Sequence, residues 1–148
     1  MSGTQVRSVD VGSWRAAHED ARAQGFGRCE WITAYDRDGI VLVSHLVRAN
    51  EVLVLTARLD GDYADSVTEV FPSAQFHERE VSQMFGVQFA GHPDPRPAFA
   101  IDLTAHPLRR NFPLLPRTQT AWPGAHEPDS AGRRRPTPVP GVNKEWET

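Results

Sequence analysis

Two short runs, Ile40-Val41-Leu42-Val43 and Val52-Leu53-Val54-Leu55, constrain this chain more than any other feature. A strand covered on one face alternates apolar and polar residues, but these runs are apolar on both. They are short, rich in β-branched residues and separated by an Ala49-Asn50 turn, so they read as neighbouring strands. Their second face needs a cover, supplied by a helix or the extended tail of this chain or by another protein. Left bare, such a face is an aggregation hazard.

The flanking sequence extends this into an antiparallel meander. Glu30 to Asp36 alternates, with Trp31, Thr33 and Tyr35 on one side, and Asp38-Gly39 is a hairpin signal leading into Ile40 to Val47. Val52 to Leu59 follows. Ahead of the strands, Ser13 is positioned to cap a helix from Trp14 to Gln24, with Trp14, Ala17 and Ala21 on one face and Gly25 at its end. Beyond Asp60-Gly61, the residues Tyr63, Val67, Val70 and Phe71 mark a second helical face that stops before Pro72. Ser73 opens a third helix carrying Phe76, Val81, Met84 and Phe85, with Gly86 as its stop, and Val87 to Phe89 adds a short fourth strand. The expected fold is α+β: a three- to four-stranded antiparallel sheet packed with helices.

Proline changes the character of the chain near residue 92, with one before it (Pro72) and eleven after. The expected organisation is an α+β domain over residues 1–114, then a proline-rich extended or disordered arm over 115–148. In that arm Pro136, Pro138 and Pro140 favour a polyproline-like path. Charge divides at the same place. Residues 1–91 hold 8 Arg/Lys against 13 Asp/Glu, and the remainder 8 against 6. Arg133-Arg134-Arg135 is the sole basic run, too little for a nucleic-acid footprint.

The single cysteine, Cys29, excludes an internal disulfide and any thiolate cluster for zinc or iron–sulfur. No apolar stretch is long enough to span a bilayer, and the start lacks a secretory signal's apolar run. The protein is therefore expected in the cytoplasm, meeting a membrane only through a partner.

Catalytic signatures are absent: there is no phosphate-binding loop, H-E-x-x-H helix or nucleophile elbow. Gly25-Phe26-Gly27 begins like a dinucleotide fingerprint but has Glu30 at the third glycine position and follows a helix, so it reads as a helix stop. Of the six histidines, His77 stands next to Glu78 and near Glu80, yet successive helical residues diverge, and a structural role is the better reading. The densest segment runs from Phe76 to Gly86, then Gly91-His92-Pro93-Asp94 and His106 to Pro113. It sets Glu78 and Glu80 against Arg96, Arg109 and Arg110, either as ion pairs pinning an irregular loop or as an exposed charged helix face.

The run Glu78-Arg79-Glu80-Val81, Met84-Phe85-Gly86-Val87, Phe89, Gly91-His92-Pro93-Asp94, Arg96, His106-Pro107-Leu108-Arg109 and Phe112-Pro113-Leu114 resembles the thirty-kilodalton subunit family of respiratory NADH:quinone oxidoreductase (complex I). The resemblance is dense over residues 70–114 and reaches back more weakly to Trp31 and Ser44-His45-Leu46. It implies a non-catalytic structural subunit of the peripheral arm, on the cytoplasmic face of the inner membrane. Members of this family carry no flavin, cluster or metal. They pack on the large subunit that holds the quinone site and near the small cluster-bearing one, supporting electron transfer from NADH to quinone in a proton-translocating complex. The resemblance also implies that Glu78, Arg79, Glu80, Phe85, Gly86, His92, Pro93, Arg96, His106, Pro107, Leu108, Arg109 and Pro113 face partners or organise the loop, with Arg109 the foremost candidate for a linking ion pair.

The resembled family also supplies subunits to membrane-bound [NiFe] hydrogenases and formate hydrogenlyase-type complexes, which is the alternative setting. Gln83, Pro95, Phe76 and Asn111 depart from the usual Asp, Leu, Trp and Asp of respiratory members. Two further classes compete with the structural subunit. One is an enzyme built on the His/Glu-rich segment; the other is an adaptor working through the Pro/Arg arm.

Overall fold

In the computed structural model the chain divides into two units, Met1–Pro113 and Leu114–Thr148. The described residues are 3–100, 103 and 105–113, all in the first unit. The arm expected over 115–148 lies outside them.

The apolar runs form the centre of the sheet. β2 (Arg28–Asp36), β3 (Ile40–Arg48) and β4 (Glu51–Arg58) make the expected antiparallel meander. The first hairpin turns on Asp38 and Gly39, both at positive φ, and Gly39 takes φ +117°, which a side chain would resist. A strand that the sequence reading did not anticipate, β1 (Gly3–Asp10), pairs parallel to β4, giving the order β1-β4-β3-β2. The sheet is therefore mixed rather than antiparallel. With only two valines among Thr4, Gln5, Arg7 and Ser8, β1 gives no apolar signal; its place is fixed by its neighbour.

Both helices belong to a single core on one face. α1 (Trp14–Ala23) contributes Trp14, Ala17, His18 and Ala21, and α2 (Ala74–Phe85) contributes Ala74, Val81 and Phe85. They meet Ile32, Ala34, Leu42, Leu46, Leu53, Leu55 and Ala57 of the sheet, all buried. His18 is enclosed there: Nδ1–H donates to the Trp14 carbonyl at 2.8 Å, so Nε2 accepts from the Ser44 hydroxyl at 2.9 Å. Burial lowers its pKa to about 4, keeping the ring neutral.

The other face stays partly open among the described residues. Register aligns Val6, Val54, His45 and Trp31 across all four strands, with Trp31 stacked on His45 at 5.0 Å. Trp31 remains 37% and Tyr35 47% exposed. The doubly apolar strands thus have a second face that both helices leave uncovered.

Two expected elements differ. The helix anticipated over Tyr63–Phe71 is a short strand, β5 (Tyr63–Asp65), followed by turns, because Ser66, Val67 and Thr68 commit their polar groups to other partners. The expected fourth strand exists as β6 (Gln88–Ala90), but it pairs parallel with β5 in a separate two-stranded sheet. At the start of α2, Ser73 donates its hydroxyl to the Cys29 carbonyl at 2.8 Å instead of capping the helix. α2 ends as expected at Gly86, with φ +80°.

Candidate functional site

The stripe that α2 buries is Ala74, Glu78, Val81 and Phe85, so a carboxyl group sits within an apolar face. Glu78 is fully enclosed. Its Oε1 accepts from the Val67 backbone N–H at 2.7 Å, and its Oε2 from the Ser66 hydroxyl at 2.7 Å. Ser66 in turn accepts from the Thr68 amide at 3.2 Å and lies 2.8 Å from the Thr68 hydroxyl. Burial raises the Glu78 pKa, while the bonds from Val67 and Ser66 and the nearby His92 pull it back. The cluster fixes the chain after β5 onto α2.

The segment after β6 has almost no regular backbone pairing and is tied to α2 by side chains. His92 accepts the Asp94 amide at Nδ1 (3.0 Å), so Nε2 carries the proton and donates to the Gln75 carbonyl (3.0 Å). Arg79 donates Nε–H to the Arg96 carbonyl at 2.7 Å, reaches the Pro97 carbonyl at 2.5 Å, and pairs with Asp94 at 3.3 Å. Arg96 grips the same Asp94 carboxylate bidentately at 2.8 and 2.7 Å. Those bonds hold the Asp94 carboxyl well below the usual carboxylate range. Gln83 closes the loop by pairing with Phe99, whose amide donates to Oε1 at 2.9 Å.

The next stretch finishes the helix. His106 Nδ1–H donates to the Gln83 carbonyl at 3.0 Å, and the Leu108 amide donates to the Met84 carbonyl at 3.2 Å. These satisfy C-terminal carbonyls that α2 cannot satisfy itself. A Cβ on Gly86 would lie 2.7 Å from the His106 ring, so Gly86 is needed both for its backbone conformation and for this approach. Arg109 bonds Asp62 at 2.7 Å, and the Arg110 amide bonds Asp36 at 3.1 Å beside the β2–β3 turn.

The structure thus brings Glu78, Arg79, Gly86, His92, Arg96, His106, Leu108 and Arg109 into one block around α2, with different pairings from those expected. Glu78 contacts no arginine, because its place on the buried stripe offers only Ser66, Val67 and His92. Arg96, Arg109 and Arg110 instead find Asp94, Asp62 and Asp38. Glu80 makes no hydrogen bond or ion pair among the described residues. Phe85 is core, Pro107 is half-buried, and Pro93 and Pro113 are exposed. Sequence reasoning missed Ser66, Thr68, Asp62 and Gln83 as partners. Only the spacing of Glu78 with Ala74, Val81 and Phe85 could have shown that the carboxyl points inward.

Between α2 and the loop runs a cleft of about 340 Å³, lined by Glu78, Arg79, Ser82, His92, Asp94 and Arg96 among others. The Glu78, Arg79, His92, Asp94 and Arg96 side chains are all bonded to the protein's own groups, and this arrangement positions a loop. No group of three or more His, Cys, Asp or Glu among the described residues could hold a metal. Cys29 is buried, and desolvation chiefly, with the Glu78 charge next, pushes its pKa up to about 12, so it is an inert thiol. Outward the block shows Phe76, 47% exposed and edge-on to Phe99 at 5.8 Å, and Leu108, 55% exposed. No helix among the described residues is long and apolar enough to cross a membrane.

A family model described as respiratory-chain NADH dehydrogenase, 30 Kd subunit, matches residues 7–118. The C subunit of NADH-quinone oxidoreductase from Coxiella burnetii is 28% identical over 138 residues, covering 86% of this chain and 60% of the relative. The chain thus spans about three fifths of that relative's length. Among solved structures, the trypsin-resistant fragment (1-134) of Nqo5 has a TM-score of 0.57 at 24% identity, over 62% of this chain and 82% of that one. A chain of the membrane-bound sulfane sulfur reductase, an archaeal respiratory membrane complex, has a TM-score of 0.70 at 26% identity, over 78% of this chain and 75% of that one.

Proposed function

The chain belongs to the respiratory-chain NADH dehydrogenase 30 Kd subunit family, and we propose that it is a non-catalytic subunit of the peripheral arm of an NADH:quinone oxidoreductase. It supports electron transfer from NADH to quinone by packing on the subunit that holds the quinone site, close to the cluster-bearing subunit. It meets the membrane through the complex, on the cytoplasmic face, and holds no cofactor of its own. The observation that carries this reading is the inward bonding of the Glu78–Arg79–His92–Asp94–Arg96 constellation. The groups best suited to chemistry are used to hold a loop in shape, while Phe76 and Leu108 beside them are displayed. Glu80, half-exposed and unpaired among the described residues, adds a charge to that outward surface.

The test is purification of the tagged chain from its native membranes in mild detergent, with the co-purifying proteins identified. Recovery with flavin- and cluster-bearing NADH dehydrogenase subunits is the expected result. The Leu108→Asp and Phe76→Asp double variant is expected to lose those proteins while remaining folded. Recovery of the chain alone would overturn the reading.

A second reading is favoured by the TM-score of 0.70 to a chain of the sulfane sulfur reductase complex. In it, the chain serves as the equivalent subunit of a related membrane complex, such as a [NiFe] hydrogenase or formate hydrogenlyase-type assembly. A nickel-binding large subunit in the purified material would select it.

A further inference from the structure

The two edges of the sheet are finished differently. At β2 the register breaks at a bulge between Cys29 and Trp31, and the Ser73 hydroxyl takes the Cys29 carbonyl. These devices block further pairing. β1 has none of them. It runs eight residues in unbroken register with β4, without proline, lysine or bulge, and its outer backbone groups face no strand among the described residues. Val6, at its middle, is 72% exposed and extends the open-face row of Val54, His45 and Trp31.

We propose that this edge docks a second copy of the chain, β1 against β1 in antiparallel register, with Val6 meeting its counterpart on a two-fold axis. The face each residue occupies fixes that register. Thr4, Val6 and Ser8 pair with Val52, Val54 and Thr56 on the open face, while Gln5, Arg7 and Val9 pair with Leu53, Leu55 and Ala57 on the helix face. Antiparallel partners must share a face, so the axis passes through a residue and not between two. An axis at Arg7 would oppose two guanidinium groups, and one at Gln5 or Ser8 would pair a shorter stretch. The axis at Val6 sets Val6 on Val6, Thr4 on Ser8 and Gln5 on Arg7, combining an apolar pair and hydrogen-bonding pairs without like charges. The open apolar row then continues into the mate's sheet. Strand pairing alone buries less than the roughly 1,200 Å² of a stable interface, so the dimer is weak and reversible.

The inference concerns the free chain and does not depend on the complex proposed above. Sedimentation of the full chain over rising concentration should show reversible dimers. Val6→Lys should weaken association about tenfold, by placing two ammonium groups face to face, and Val6→Thr should weaken it less. Under mild oxidation Val6→Cys should cross-link to itself, since Cys29 is buried. Ser8→Cys should not cross-link alone but should do so when mixed with Thr4→Cys. Circular dichroism checks that each variant is folded. A monomer at every concentration with no Val6→Cys cross-link would overturn the proposal. So would a dimer indifferent to Val6→Lys, or Ser8→Cys cross-linking as fast as Val6→Cys.

Discussion

Leu42, Leu46, Leu53 and Leu55 hold the sheet to its helices by filling space, whereas residues 92–99 and 106–110 are held by named polar atoms meeting other named atoms. The first region spreads its stabilisation over many small contacts, so its members are interchangeable within limits of volume. The second concentrates it in a few bonds, each with one geometry. Damage to the first should unfold the unit as a whole; damage to the second should free a loop and leave the sheet intact.

Leu55→Ala should have the largest effect, about 2–5 kcal/mol lost from global stability, read by urea denaturation. If the loss came with a freed loop and an unchanged midpoint, the contrast between the regions would fail. Next comes acid. The His18 pKa is depressed to about 4 in the folded chain, so unfolded chains protonate first as pH falls from about 6.5. Its stabilisation is present above that pH and drains away toward pH 4, a loss on the order of 3 kcal/mol. His18→Gln should flatten that slope in denaturation curves measured against pH. Glu78 acts in the opposite direction: with its pKa raised, its stabilisation is full at low pH and falls as pH rises through the folded value. Glu78→Gln should therefore remove the decline that sets in as pH rises above the ordinary glutamate range.

Gly86→Ala should cost about 1–2 kcal/mol through its backbone conformation and the displaced His106 ring. His106→Ala in the same chain should recover part of that cost, a non-additivity that a double-mutant cycle would detect. Arg79→Ala should be the mildest, below about 1 kcal/mol, yet it should expose the stretch from 92 to 99 to limited proteolysis. An unchanged cleavage pattern would show that the loop does not rely on that clamp.

The same contrast explains what could be read from the sequence. Apolar packing leaves a period, and the meander, both helices and the Gly86 stop followed from it. Polar pinning leaves none: Arg109 could have met Glu78 as well as Asp62, and only the folded chain decides. β1 escaped notice for a related reason, since its place comes from β4 and not from its own residues. The Tyr63–Phe71 error arose because a helical spacing of apolar residues cannot reveal that Glu78 will claim the backbone of Val67. The resemblance singled out the segment around α2 as the candidate site, but residue types alone did not indicate which way each side chain turns.

The parallel pairing of β1 with β4 also sets an order of events during synthesis. Gly3 ends beside Glu51, so β1 is made before α1, β2 and β3 and must wait for β4, its partner. The hairpins between β2, β3 and β4 close over short loops and are expected to form before β1, whose pairing with β4 must close over α1, β2 and β3. Of the four strands of this sheet, the one made earliest is therefore expected to dock last, and its amides should exchange with solvent ahead of those of the meander.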